Sequence, residues 1–201
     1  MRALLLRGFT FVALALAVVS SQPTRASAQM RGARQVAFPV DPFITTRIES
    51  VLATANVMLA ADYYRIDMRF GPSVRIDAIV VDTLDPRTRV KGLRVQVRDP
   101  ENRNRQEGTS FIDLDELIAL TRALPSMAEK ASSWTHDDRL ATELTFTTGG
   151  GFRVAIRQSA RVPRVFLSTG LLDPVATSID LAELPTIQQA FDQALTILNS
   201  K

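Results

Sequence analysis

The chain has no cysteine, one histidine (His136) and one tryptophan. Without cysteine there is no disulfide, no thiol nucleophile and no sulfur to carry a lipid anchor. A lone histidine cannot build a zinc site from His and Cys ligands within one chain. Aromatic residues make up only 6% of the chain, which leaves no aromatic-rich set of strands for stacking bases. No apolar run approaches the roughly 20 residues that span a bilayer. The longest candidate, from Phe9 to Val19, is too short.

That short run has the setting of a secretory signal. Arg2 and Arg7 precede it, and Ala26-Ser27-Ala28 follows as a small-x-small cleavage site. Cleavage is expected after Ala28, with export to the periplasm or beyond the cell. The chain carries 24 Lys+Arg against 21 Asp+Glu, and Arg2, Arg7 and Arg25 leave with the signal, so the count evens at 21 each. A global attraction to nucleic acid or membrane is therefore not expected. Residues 29–39 read as a flexible lead-in. Residues 40–201 are long enough for one domain, and a hydrophobic content of 46% supplies its core.

Periodicity then sets the elements. Asp41 and Pro42 are good start signals for a helix of about 18 residues, with Ile44, Ile48, Val51, Leu52, Ala55, Met58 and Leu59 as its apolar stripe. The period next falls to two. Tyr64, Ile66, Met68 and Phe70 mark one strand, Val74 to Val80 a second, Leu93 to Val97 a third and Thr109–Ile112 a fourth. Asp113 then caps a helix, with Glu116 three residues on. The second half repeats that order: strands at 140–147, 152–156, 162–168 and 177–179, then Asp180 capping a last helix. The echoes are visible in the letters. "RFGPSVRIDAI" parallels "TFTTGGGFRVAI", "RVKGLRV" parallels "RVPRVFL", and "IDLDEL" at 112–117 parallels "IDLAEL" at 179–184. The expected fold is α+β: two antiparallel β-β-β-β-α units, about 63–131 and 138–199, packed together behind an N-terminal helix.

At the level of element order, residues 63–199 resemble the Whirly and Pur families, which are built from duplicated four-strand-plus-helix units. The resemblance implies an architecture. The Lys-Gly-Lys signature of the Whirly type is absent, so none of those families' binding residues is carried over.

Catalytic chemistry finds little to stand on. Ser133, His136 and Asp137 crowd into one hydrophilic loop, where one side chain cannot orient the next as a triad requires. Asp137-Asp138 has no apolar surroundings to raise a carboxyl pKa. "TTGGGF" lacks the ending of a P-loop and lies between strands, so it reads as a hairpin turn. Arg103 and Arg105 sit with Glu101 and Glu107 in a solvated loop. One pattern is unusual. Arg65, Arg69, Arg75, Arg94, Arg98, Arg153, Arg157 and Arg164 fall on the polar faces of the strands, with only Asp67, Asp77 and Glu143 beside them. Arginine forks suit carboxylates, phosphates and sulfates. Arg94, Arg98, Arg153 and Arg157 are the candidate anion contacts, and their joint replacement by Gln is expected to leave folding nearly intact. The sequence thus points to a non-catalytic binding or accessory module of the cell envelope, needing no cofactor or metal, with an envelope protein as partner. The alternative is a polyanion binder, for nucleic acid or acidic polysaccharide, using the arginine face.

Overall fold

The computed structural model describes residues 46–66, 73–84, 87–101, 107–134, 141–158 and 162–201. Signal segment, lead-in, Asp41, Pro42, Asp67, Arg69, Arg103, Arg105 and the stretch from His136 to Asp138 lie outside the described residues. Two four-stranded antiparallel sheets are each followed by a helix. The first holds β1 (Leu59–Ile66), β2 (Val74–Leu84), β3 (Arg87–Arg98) and β4 (Glu107–Asp113) in that order, and α2 (Leu114–Ser132) follows it. The second holds β5 (Thr142–Thr147), β6 (Arg153–Gln158), β7 (Arg164–Thr169) and β8 (Val175–Asp180), again in order. A 3-10 turn, Leu181–Glu183, leads into α3 (Leu184–Ser200). Ahead of both units stands α1 (Arg47–Leu52).

The described helix α1 differs from the long one expected. Thr46 is its cap: the hydroxyl accepts the Glu49 N–H at 3.1 Å and the Glu49 carboxylate accepts the Thr46 N–H at 3.0 Å. It ends at the Ala53 cap, and Asn56 takes a left-handed φ of 59°, so Ala55, Met58 and Leu59 are not helical. Leu59 instead opens β1, five residues before the expected strand start at Tyr64.

The inner faces of β2, β3 and β6 follow the alternation expected of them, and β4, β7 and β8 add to the same layer. Val74, Ile76, Ala78, Val80, Leu93, Val95, Val97 and Ile112 of the first sheet are buried, as are Val154, Ile156, Val165, Leu167 and Ile179 of the second. These faces meet the apolar sides of α2 and α3 in one continuous core. Inside it the Phe152 and Phe191 rings pack edge to face, centroids 6.1 Å apart and planes at 88°. The two units are intertwined, since α3 packs against β1, β2 and β3 of the first sheet. There the Lys91 ammonium donates to the Leu198 carbonyl at 3.0 Å.

The repeated corner is a strand-to-helix junction used twice, but Asp113 caps α2 directly whereas Asp180 caps the 3-10 turn, and the cap position of α3 falls to Glu183. Glu116 and Glu183 each accept the N–H of the preceding Asp at 3.2 Å, and Leu117 and Leu184 are both buried. The two Asp residues differ in their surroundings. Asp113 also accepts the Arg47 N–H at 2.8 Å and the Ile48 N–H at 3.3 Å, so one carboxylate ties the start of α1 to the start of α2. Asp180 is exposed. A carboxylate at two helix starts meets unsatisfied N–H groups and two positive dipole ends.

That tether puts α1 on the outer face of the first sheet, where Ile48, Ile79 and Val81 form a second cluster with Val51, Leu52, Val90 and Phe111. Strand β2 is therefore buried on both faces. The close approach needs Gly92, because a Cβ there would collide with the Ile112 carbonyl and lie 2.6 Å from the Ile48 side chain. The β5–β6 turn docks in a similar way. A Cβ on Gly150 would strike the Phe111 carbonyl, so the Gly-rich turn is both a hairpin and a joint between the units.

Candidate functional site

The strand register decides what the arginines face. Directly opposite residues on antiparallel strands have side chains about 4.5–5.5 Å apart, so a charge meets its cross-strand neighbours first. On the first sheet, Asp77 pairs with Arg65 on one side and Arg94 on the other. The Arg94 guanidinium reaches Asp77 at 2.8 Å and Arg75 reaches it at 3.1 Å, while the Asp77 side chain is only 1% exposed. The Arg94 guanidinium also lies 4.2 Å from the centroid of the Tyr63 ring. Arg98 is opposite Glu107 and bonds it at 2.9 Å.

The second sheet repeats this with different carboxylates. Glu143 takes Arg157 at 2.7 Å and Arg153 at 2.5 Å. Its carboxyl is held below the usual range, first by the Thr145 hydroxyl and then by the Arg157 hydrogen bond. Arg164 is opposite Asp180, 3.6 Å away. All four candidate anion contacts thus stand on ordered strands and each already holds a carboxylate. The sequence pattern puts Glu107 in a loop beside Arg103 and Arg105, since it starts β4 at Thr109, and gives Asp180 only as a cap; the register makes them the partners of Arg98 and Arg164.

The outer faces of the two sheets differ. The first carries α1 over its apolar half. Among the described residues no helix covers the second: Glu143, Thr145 and Thr147 on β5, Arg153 and Arg157 on β6, Arg164 on β7, and Ala176, Ser178 and Asp180 on β8 are exposed, around a buried Ala155 and half-buried Phe166 and Ser168. Across the four strands runs the row Glu143–Arg157–Arg164–Asp180, with carboxylates on the two edge strands and arginines on the two central ones. Half-buried Phe166 lies in the neighbouring row, between Ala155 and Ser178, with the Arg157 guanidinium 5.2 Å from its ring centroid. At one margin Asp99, Pro100 and Glu101 face Arg164, Phe166 and Ser178 across an open cleft of about 420 Å³. The signal for this face was present in the sequence as Phe166 among polar positions, but only the register brings it beside Arg157.

Among the described residues no three His, Cys, Asp or Glu side chains gather as a metal site, and no helix is long and apolar enough to cross a membrane. Comparison with protein-family models, with curated proteins and with solved structures finds no match to this chain.

Proposed function

We propose that the protein is an exported, non-catalytic binding or accessory module of the cell envelope that works by contact with another protein. The carrying observation is the outer face of the second sheet, uncovered by any helix among the described residues, where the row Glu143–Arg157–Arg164–Asp180 sets two central arginines between acidic edges beside Phe166. A basic centre flanked by acidic edges fixes partner register and orientation, and an aromatic ring amid arginines supplies the contact area typical of protein interfaces. The export half of the proposal rests on the signal-like first 28 residues.

The second reading is the polyanion binder. In its favour, Arg153, Arg157 and Arg164 outnumber Glu143 and Asp180 on this face. Against it, each arginine would exchange a carboxylate already in place for an incoming phosphate or sulfate. Heparin chromatography separates the two. Release at a salt concentration no higher than that of a neutral control supports protein contact. Retention that falls steeply with salt and vanishes in Arg153→Gln/Arg157→Gln supports the polyanion reading. The Whirly and Pur likeness remains a proposal about element order and supplies no binding residue.

A further inference from the structure

Away from the second sheet, where the start of α2 passes residues 89–91 of β3 beyond the end of β4, lies an open cleft of about 500 Å³. That volume is within the ~300–1,000 Å³ of small-molecule sites. Val90, Leu114 and Ile118, all half-buried, give it an apolar lining. Arg47, Arg89, Lys91 and Asp115 supply the charge, three positive against one negative.

These cations are not equivalent. Arg47 is spent on Asp113 at 3.2 Å and on Asp115, which also neutralises the one acid. Arg89 holds Asp82 through two bonds at 2.7 and 2.9 Å and reaches the Lys201 carbonyl at 3.0 Å. Among the described residues Lys91 has no carboxylate within ion-pair distance, and its ammonium donates to the Leu198 carbonyl. An ammonium has three N–H donors, so Lys91 can take an anion without breaking its protein bond. An apolar lining with one available cation at its edge is complementary to a ligand with a single negative head and an apolar tail.

We propose that this cleft binds an amphipathic carboxylate of medium chain length, with its head on the Lys91 ammonium and its chain along Val90, Leu114 and Ile118. The site shares no residue with the bare face of the second sheet and stands independently of the protein-contact reading.

Calorimetric titration of the folded protein with sodium dodecanoate, below its micelle concentration, tests this. One saturable site is expected, with dodecanol binding at least tenfold more weakly. Lys91→Gln, which keeps a donor for the Leu198 carbonyl, is expected to weaken dodecanoate about tenfold, the scale of a charge-assisted hydrogen bond, and to leave dodecanol unchanged. No saturable heat, equal affinity for the acid and the alcohol, or an unchanged constant in Lys91→Gln would each overturn the proposal. Should Lys91→Gln lose its thermal transition, Ile118→Asp carries the test at a half-exposed position. Dodecanoate affinity must fall with it, and undiminished affinity overturns the site.

Discussion

Arg94 places its guanidinium 2.8 Å from the carboxylate of Asp77, a side chain 1% exposed in the middle of the first sheet. Arg153, by contrast, meets Glu143 where both side chains are well exposed to water, at 44% and 28%. Two arginines that look alike in the sequence therefore have different energetic roles. A buried carboxylate needs its partner, because its desolvation is compensated only by that partner's charge and hydrogen bonds.

The first prediction follows from that contrast. Arg94→Gln should destabilise toward the lower end of the ~3–5 kcal/mol for breaking a buried pair, since Arg75 stays on Asp77. Arg153→Gln should cost about 0.2–1 kcal/mol, as exposed pairs do. Urea denaturation of the two variants measures both. Equal midpoints would show that Asp77 does not depend on Arg94. The quadruple Gln variant is accordingly a poor binding test, and the Arg153/Arg157 pair is the one to use.

Leu117 and Leu184 occupy equivalent, buried places in the two corners. Either change to Ala should cost roughly 2–5 kcal/mol, through lost transfer energy and the cavity left behind. Thermal midpoints that stay at the parent value in both variants would mean that the corners do not anchor their helices.

Much of the fold was legible because its inner faces follow simple alternation: Leu93, Val95 and Val97 point one way and are all buried. The corners were legible because a capping Asp, a Glu three residues on and a Leu leave a local signature. What escaped depends on distant partners. Ile79 and Val81 broke alternation because α1 covers the other face of β2, and α1 is there because Asp113 holds residues 66 and 65 positions earlier. The neutralisation of the arginines by Glu107 and Asp180 depends on strand register, which no single strand encodes. The open cleft beside Lys91 is lined from α1, β3 and α2 together, three elements that no local pattern brings side by side.

Glu143 gives a pH prediction. Its folded pKa is depressed by the Thr145 hydroxyl and Arg157, so the folded state favours the carboxylate more than the unfolded chain does. The resulting stability is present above the unfolded carboxyl pKa of about 4.3 and is lost as pH falls through the lower folded value. The difference in thermal midpoint between the parent and Glu143→Gln should therefore be largest near neutrality and shrink below about pH 4. A difference that grows on acidification would contradict this reading of the cluster.

Export predicts the mature terminus. Protein purified from its own cells should begin at Gln29, directly or as pyroglutamate, with Ala26-Ser27-Ala28 as the cleavage signal. N-terminal sequencing or intact mass decides it. Exported material that still begins at Met1 would remove the signal peptide from the account.

The central claim, protein contact through the bare face of the second sheet, is tested most directly by a photo-crosslinking residue at Ser178, the exposed cross-strand neighbour of Phe166. Exposed Ser126 on α2 is the control position. After irradiation in its own cells, the Ser178 variant should give one discrete adduct with an envelope protein, weakened by Arg157→Glu, while the Ser126 variant gives none. No protein adduct at Ser178, or the same adducts at Ser178 and Ser126, would contradict the account.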